Sequence, residues 1–285
     1  MDETEQELFK ALLATEGGKA KLQQLAKSLD NDSYDDFLEV LYAKLDVIFE
    51  KLECSRDKHF YHDEDAITGA IAGRLDEAGY LATEQTKKNG AVDLTVQLDG
   101  HTWIAEAKIA YSDGKVLEGL VQLLTRYVTR DKCGGLLVYM KKANSKKVVD
   151  DWEKFLKNNK KIASYIAKKN SEVRDDLECV LGGVTTDRLS NTSLESMHTL
   201  VNGSPITVRH FCADLYFNPA DASGNKGKTQ RVGNAMNNLA NLYFEHIETE
   251  DDFDSAKCLE YLERIFRDID PDDFKSDKED EVEAC

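Results

Sequence analysis

The chain has 285 residues, 41% of them hydrophobic, with three prolines and 17 glycines, a composition that argues for a folded protein with a substantial core, built as one large domain with appendages or as two. Its net charge of −17 opposes unaided capture of nucleic acid, which rests on basic surface and phosphate neutralisation. An acidic start at Met1 and the lack of a long apolar run predict neither a signal peptide nor a membrane span, and six cysteines without a C-x-x-C pair read as reduced thiols of a cytoplasmic protein rather than as a zinc site.

Residues 1–60 carry 8 basic and 14 acidic side chains. Apolar spacing predicts helices over 5–14, 19–29 and 33–45, the third capped by Ser33 with Asp36. Segments 47–53 and 58–62 then form the wing of a small winged-helix unit; alternatively the third helix runs on to Leu52. Asp35, Asp36 and Glu39 dominate that helix, where a DNA-reading helix presents Arg, Lys, Asn or Gln to the bases. Contact with protein is therefore the expected role of this unit.

The next helix is predicted over 63–79, with Ile67, Ile71, Leu75 and Ala78 on one stripe and Gly79 as its stop. Glu64 lies on the same stripe, and a carboxylate on a sheet-facing side is costly unless paired or metal-bound. The other reading is an acidic N-terminus, since His62-Asp63-Glu64-Asp65 suits the positive end of a helix dipole.

A β-hairpin follows over 91–108, turning at Asp99-Gly100, because Gly tolerates the positive φ of a type I′ turn. That turn sets Leu94 opposite Ala105 and Asp93 opposite Glu106. Val92, Leu94, Val96, Trp103, Ala105 and Ala107 make one apolar face, and the two carboxylates fall on the other with Lys108 two residues on. Like charges placed opposite each other destabilise a sheet, and a divalent cation reverses that sign. Asp93, Glu106 and the carbonyl of Ala107 form a hard oxygen set suited to Mg²⁺ or Mn²⁺.

Asp93, a gap of twelve residues, then Glu106-Ala107-Lys108 resembles the D…(D/E)XK signature of the PD-(D/E)XK, or restriction-endonuclease-like, nuclease superfamily, over roughly residues 61–142; Val92 stands where the usual proline would be. The resemblance implies a mixed sheet flanked by helices and metal-dependent phosphodiester hydrolysis, DNA more than RNA, in bacterial restriction or antiviral defence. It also implies that Glu64, from the preceding helix, joins Asp93, Glu106 and Ala107 around the metal, with Lys108 orienting the attacking water. A helix predicted over 116–130 and a strand over 134–140 complete the order of elements such a core requires. Related nucleases carry a glutamine in this helix, which makes Gln122 a candidate, although Gln122 and Tyr127 depart from the Q-x-x-x-Y spacing and a solvated glutamine is the alternative.

Residues 126–169 hold 13 basic and 4 acidic side chains, among them Lys141, Lys142, Lys146, Lys147, Lys160, Lys161, Lys168 and Lys169, a candidate DNA track or a solvated helical face. An extended run over 208–217 leads to ASGNKGKT at 222–229, which fits a loose phosphate-loop pattern but leaves too little chain for such a fold, so a flexible loop is expected there. Two amphipathic helices, over 230–247 and 255–269, precede an acidic tail, and residues 245–285 hold 5 basic and 17 acidic side chains. The stripe of Leu259, Leu262, Ile265, Phe266 and Ile269 needs a surface to pack on, in the protein's own core or on another subunit. The expected whole is a helical or winged-helix unit (1–60), an α/β nuclease core (61–217) and an acidic helical region (218–285), acting with a protein partner or as a homo-oligomer; a silent scaffold keeping the fold, or an RNA nuclease, are the alternatives.

Overall fold

The structure, a computed structural model, describes residues 33–87, 91–219, 224–249 and 252–269, together with Thr15 and Gly18. The helices expected over 5–14 and 19–29 and the acidic tail lie outside the described residues.

The first described helix, α1 (Tyr34–Cys54), is capped by Ser33, whose hydroxyl accepts from Asp36 N–H at 3.2 Å. It does not stop at Leu45 to make way for a wing: Ile48, Phe49 and Leu52 prolong the buried stripe of Phe37, Leu41 and Leu45, so the periodicity carries the helix through the segment expected to be a strand. A 3₁₀ turn (Arg56–Lys58) then leads into α2 (Glu64–Asp76), whose N-cap is Asp63.

Seven strands follow in a mixed sheet of order β1-β2-β3-β4-β7-β6-β5. The first three, β1 (Leu81–Lys87), β2 (Ala91–Leu98) and β3 (His101–Ile109), are an antiparallel meander, and Asp99 (φ +50°) and Gly100 (φ +81°) form the expected tight turn. Helix α3 (Asp113–Gln122) starts at its N-cap Ser112 and runs into a π turn, Leu123–Tyr127, ending before Val128, three residues short of the predicted end. It crosses to β4 (Cys133–Met140), which pairs parallel with β3. Three further helices, α4 (Ser145–Leu156), α5 (Asn159–Ala167) and α6 (Arg174–Leu181), precede the hairpin of β5 (Thr185–Arg188) and β6 (Ser193–Thr199). Strand β7 (Pro205–Asp214) returns beside β4, parallel to it.

Side-chain alternation on the central strands divides the core in two. Leu137 and Tyr139 of β4, with Leu94, Val96, Trp103 and Phe211, pack under α1 and α2. Leu136, Val138 and Met140, with Ile104 and Val208, pack under α3 to α6. Gly135 permits the close crossing of Trp103, whose ring would lie 2.2 Å from a Cβ added there. Strand β4 is thus buried on both faces, as a central parallel strand should be.

Under α4 and α6 runs a buried polar chain. Trp152 Nε1–H donates to His210 Nδ1 (3.0 Å), Ser196 Oγ lies 2.7 Å from both His210 Nε2 and His198 Nε2, and His198 Nδ1 lies 2.8 Å from Val180 O. The indole can only donate and the carbonyl only accept, so each imidazole carries one proton and the chain runs in one direction, Trp152 to Val180. Burial pushes His198 down to about 4 and His210 down to about 3, the latter also through His198.

The described residues end with α7 (Gly224–Thr249) and α8 (Ser255–Ile269). The segment expected to be a flexible loop at 224–229 is instead the first turns of α7, where Gly227 and Gln230 are buried. On α8, Leu259 and Phe266 stay more than half exposed, so the apolar stripe finds only part of its cover among the described residues. No helix of the described residues is long and apolar enough to cross a membrane.

Candidate active site

Strands β2 and β3 are in the expected register from Leu98↔His101 to Leu94↔Ala105, and their pairing stops there. Each strand stays bound to its outer neighbour, β2 to β1 as far as Lys87↔Ala91 and β3 to β4 as far as Ile109↔Tyr139, so the hairpin opens as a wedge at its far end. Asp93 stands at the mouth of that wedge, and its Oδ2 accepts from the Ala107 N–H at 2.8 Å. The alternation expected of β2 breaks here: Leu94 faces α1 and α2, but Val92 joins the core under α3.

Glu106 and Lys108 project from β3 into the opening. Glu106 is 2% exposed, and its Oε1 holds Lys108 Nζ at 2.9 Å. Its Oε2 is buried with no hydrogen-bond partner. Burial, then the neighbouring Asp93 charge, push Glu106 up to about 7 against the opposing pull of Lys108. Asp93 is also raised, by burial, partly offset by the Ala107 N–H. Burial lowers Lys108, but Glu106, Glu64 and Asp93 outweigh it and hold the ammonium above the ordinary lysine range.

Glu64 arrives from the opposite side of the sheet. Asp63 takes the capping role, accepting from Ala66 N–H at 2.9 Å, and this leaves Glu64 to reach over the sheet end. There its Oε2 accepts from Ile109 N–H at 2.8 Å and its Oε1 from Lys108 Nζ at 3.3 Å. Two features hold that helix start in place. Thr68 Oγ1 bonds to Glu64 O (2.8 Å) and lies 2.9 Å from the buried Tyr139 hydroxyl, and the buried Lys141 donates to His62 O. Burial lowers Lys141 to about 8, opposed by Asp63 and Glu64.

Lys108 Nζ therefore stands amid three carboxylates, 2.9 Å from Glu106, 3.3 Å from Glu64 and 3.9 Å from Asp93. Among the described residues, no three His, Cys, Asp or Glu side chains are grouped so as to hold a metal ion, and the ammonium takes the central position. Gly119 of α3 makes room for it: a Cβ there would lie 2.5 Å from Lys108 Cγ. That residue went unnoticed in the sequence, where a helix-interior glycine carries no directional signal.

Gln122 is not brought into this cluster. It is the last residue of α3 and lines a cleft with Glu118, Arg126, Tyr165 and Lys169; its amide oxygen is buried and unpartnered. Tyr127, in the π turn, comes nearer electrically: burial raises its hydroxyl, with Glu106 the next cause. Several lysines of 126–169 are engaged within the chain. Lys141 is buried, Lys142 pairs with Glu245 (2.8 Å), Lys147 with Asp151 and Lys157 with Glu153, while Lys161 and Lys169 lie over Phe155 and Tyr165.

No family model, curated protein or solved structure matches this chain.

Proposed function

We propose that this chain is a metal-dependent nuclease with a restriction-endonuclease-like core, acting on DNA. The observation that carries this reading is the opened hairpin, where Asp93, Glu106 and Lys108 meet Glu64 and the buried Glu106 Oε2 has no donor. A buried carboxylate oxygen without a partner costs about 1–3 kcal/mol or more, and a hard cation is the partner its chemistry suits. The order of the meander, α3 and a parallel β4 supports the same reading.

When bound, Mg²⁺ or Mn²⁺ supplies Lewis acidity toward the phosphate and acidifies its water. Asp93, Glu106 and the Ala107 carbonyl would hold it, with Glu64 completing the set. Glu106 must give up the proton it partly carries near neutral pH before it serves as a ligand. Lys108, released from Glu106, then orients water or meets the charge growing on the phosphate. Glu64 keeps Lys108 aimed into the wedge through its second bond to Ile109 N–H.

The test is incubation of plasmid, linear DNA and RNA with the purified chain and Mg²⁺ or Mn²⁺. Asp93→Ala, Glu106→Ala and Lys108→Ala are each expected to lower cleavage by about 100-fold or more. Equal cleavage by wild type and all three variants would sink the site. One observation favours a second reading, a silent scaffold: Lys108 already neutralises part of the carboxylate cluster. Failure to cleave any of the substrates, together with no binding of Mn²⁺, would establish it.

A further inference from the structure

The two halves of α7 attach to the molecule differently. The first half is embedded: Gln230, Ala235 and Asn237 are buried, Asn237 donates to Phe60 O at 3.0 Å, and Gly233 rests against Phe60 and Tyr61. The second half is exposed and holds on by side chains. Phe244 stacks on Tyr111 at 5.4 Å, with Lys115 Nζ 4.9 Å above its ring. Glu245 pairs with Lys142 at 2.8 Å, and Glu248 accepts from the Ser112 hydroxyl and the Gly114 N–H.

These contacts fall on segments next in the chain to the cluster: Lys142 directly follows the buried Lys141, on which Asp63 and Glu64 act. Residues 110–115 directly follow Lys108 and Ile109 in the chain. Tyr111, under Phe244, lies within the field of Glu64, which after burial is the next cause raising its hydroxyl. Ser112 Oγ, Gly114 N–H, Lys115 and Lys142 are donors and cations of the kind that bind phosphate oxygens. In this structure two carboxylates and a ring of α7 engage them. Both glutamates are solvent-exposed, and exposed ion pairs are individually weak.

We propose that the second half of α7 is an acidic strap that blocks the substrate side of the site, mimicking phosphate with Glu245 and Glu248, and that nucleic acid binds when the strap lets go. The proposal rests on the nuclease reading for the identity of the substrate. It gives the acidity of a −17 chain a use: residues 245–285 hold 5 basic and 17 acidic side chains, and Glu245 and Glu248 among them occupy groups that a phosphate would use.

Two full-length variants release the strap by different means. Glu245→Gln with Glu248→Gln removes its charge. Gly114→Ala removes its seat, because a Cβ at Gly114 would lie 2.1 Å from Glu248 Oε1, a flexible side-chain end that has to move away. Hydrogen exchange across 110–116 reads release, and anisotropy of a labelled 20-base-pair duplex with EDTA present reads binding without turnover. Release with a gain in duplex affinity of about tenfold or more, near the worth of one or two phosphate contacts, is expected of both variants. Release with unchanged affinity overturns the strap, and so does unchanged exchange in both variants. Tighter binding with no cleavage by any variant in Mg²⁺ or Mn²⁺ leaves the strap standing and removes the nuclease reading; cleavage by wild type with unchanged affinity in the released variants does the reverse.

Discussion

Glu106 is where the chain gives up stability to keep a carboxyl buried. Its carboxyl ordinarily titrates near 4.5 and is pushed up to about 7 in the fold, so the folded state holds a proton that the unfolded state has lost between those values. The sign follows: this group's contribution to stability is most favourable below pH 4.5, erodes as pH rises through the window, and is fully unfavourable above about 7. Glu106→Gln is therefore expected to raise stability at pH 8 in EDTA, by about 3 kcal/mol at most, seen as a higher melting temperature, and to have little effect at pH 4.5. A variant less stable than wild type at pH 8 would contradict this account of the site. That Asp93 and Glu106 come to one end of the hairpin was legible from the turn and the alternation, although the directly opposed pair expected there does not form, because the pairing ends at Leu94↔Ala105. The kink at Val92 was not legible, because it arises from the parting of two strands that each follow an outer neighbour, a contest among three strands that no local pattern records.

Elements were legible where one periodicity spoke alone. Strand β4 announced itself as a short, wholly apolar run, and α8 ends where its stripe ends. At Val47 the sequence leaves two readings open, since a β-branched pair, Val47-Ile48, favours a strand locally while the stripe through Leu52 favours helix; burial against the sheet decides for the continued helix. The start of α7 was misjudged because Gly and Lys at 224–228 read as a loop, whereas packing buries Gly227. The Trp152–His210–Ser196–His198 chain joins α4, β7, β6 and α6, positions too far apart in sequence to suggest one another. Its two imidazoles are neutral when folded and protonate near 6.5 when unfolded, so the stability they allow is complete above that pH and is lost as pH falls toward about 4 and about 3. Denaturant midpoints should therefore fall steeply between pH 6.5 and 4, and His210→Phe, less stable at neutral pH, should show a shallower slope. Parallel slopes in wild type and variant would refute the role assigned to the chain.

Across the whole molecule, charge is arranged against position. The part of the chain from 61 to 180 carries 19 basic and 19 acidic residues, and the excess of negative charge lies before and after it. Helix α1 shares its core with β3, β7 and α2, so the first part of the described chain supports the sheet that presents the site. The last part, α7, spans from Phe60 to Ser112 and so touches both the approach to α2 and the start of α3, the two helices that flank the cluster.

The position of Lys108 has one more consequence. An ammonium seated among Asp93, Glu106 and Glu64 is a rival to any divalent ion, so on the proposed nuclease reading the residue that would help turnover would also weaken loading. Removing it should separate the two effects. Calorimetric titration of Mn²⁺ into Lys108→Ala should give tighter binding than wild type by about tenfold, roughly 1.4 kcal/mol, even as cleavage falls. Weaker binding in the variant would mean that Lys108 supports the ion and does not compete with it. If the rivalry holds, a phosphodiester that draws the ammonium toward itself vacates the seat, and by reciprocity the ion's arrival tightens the hold on that phosphodiester by the same factor.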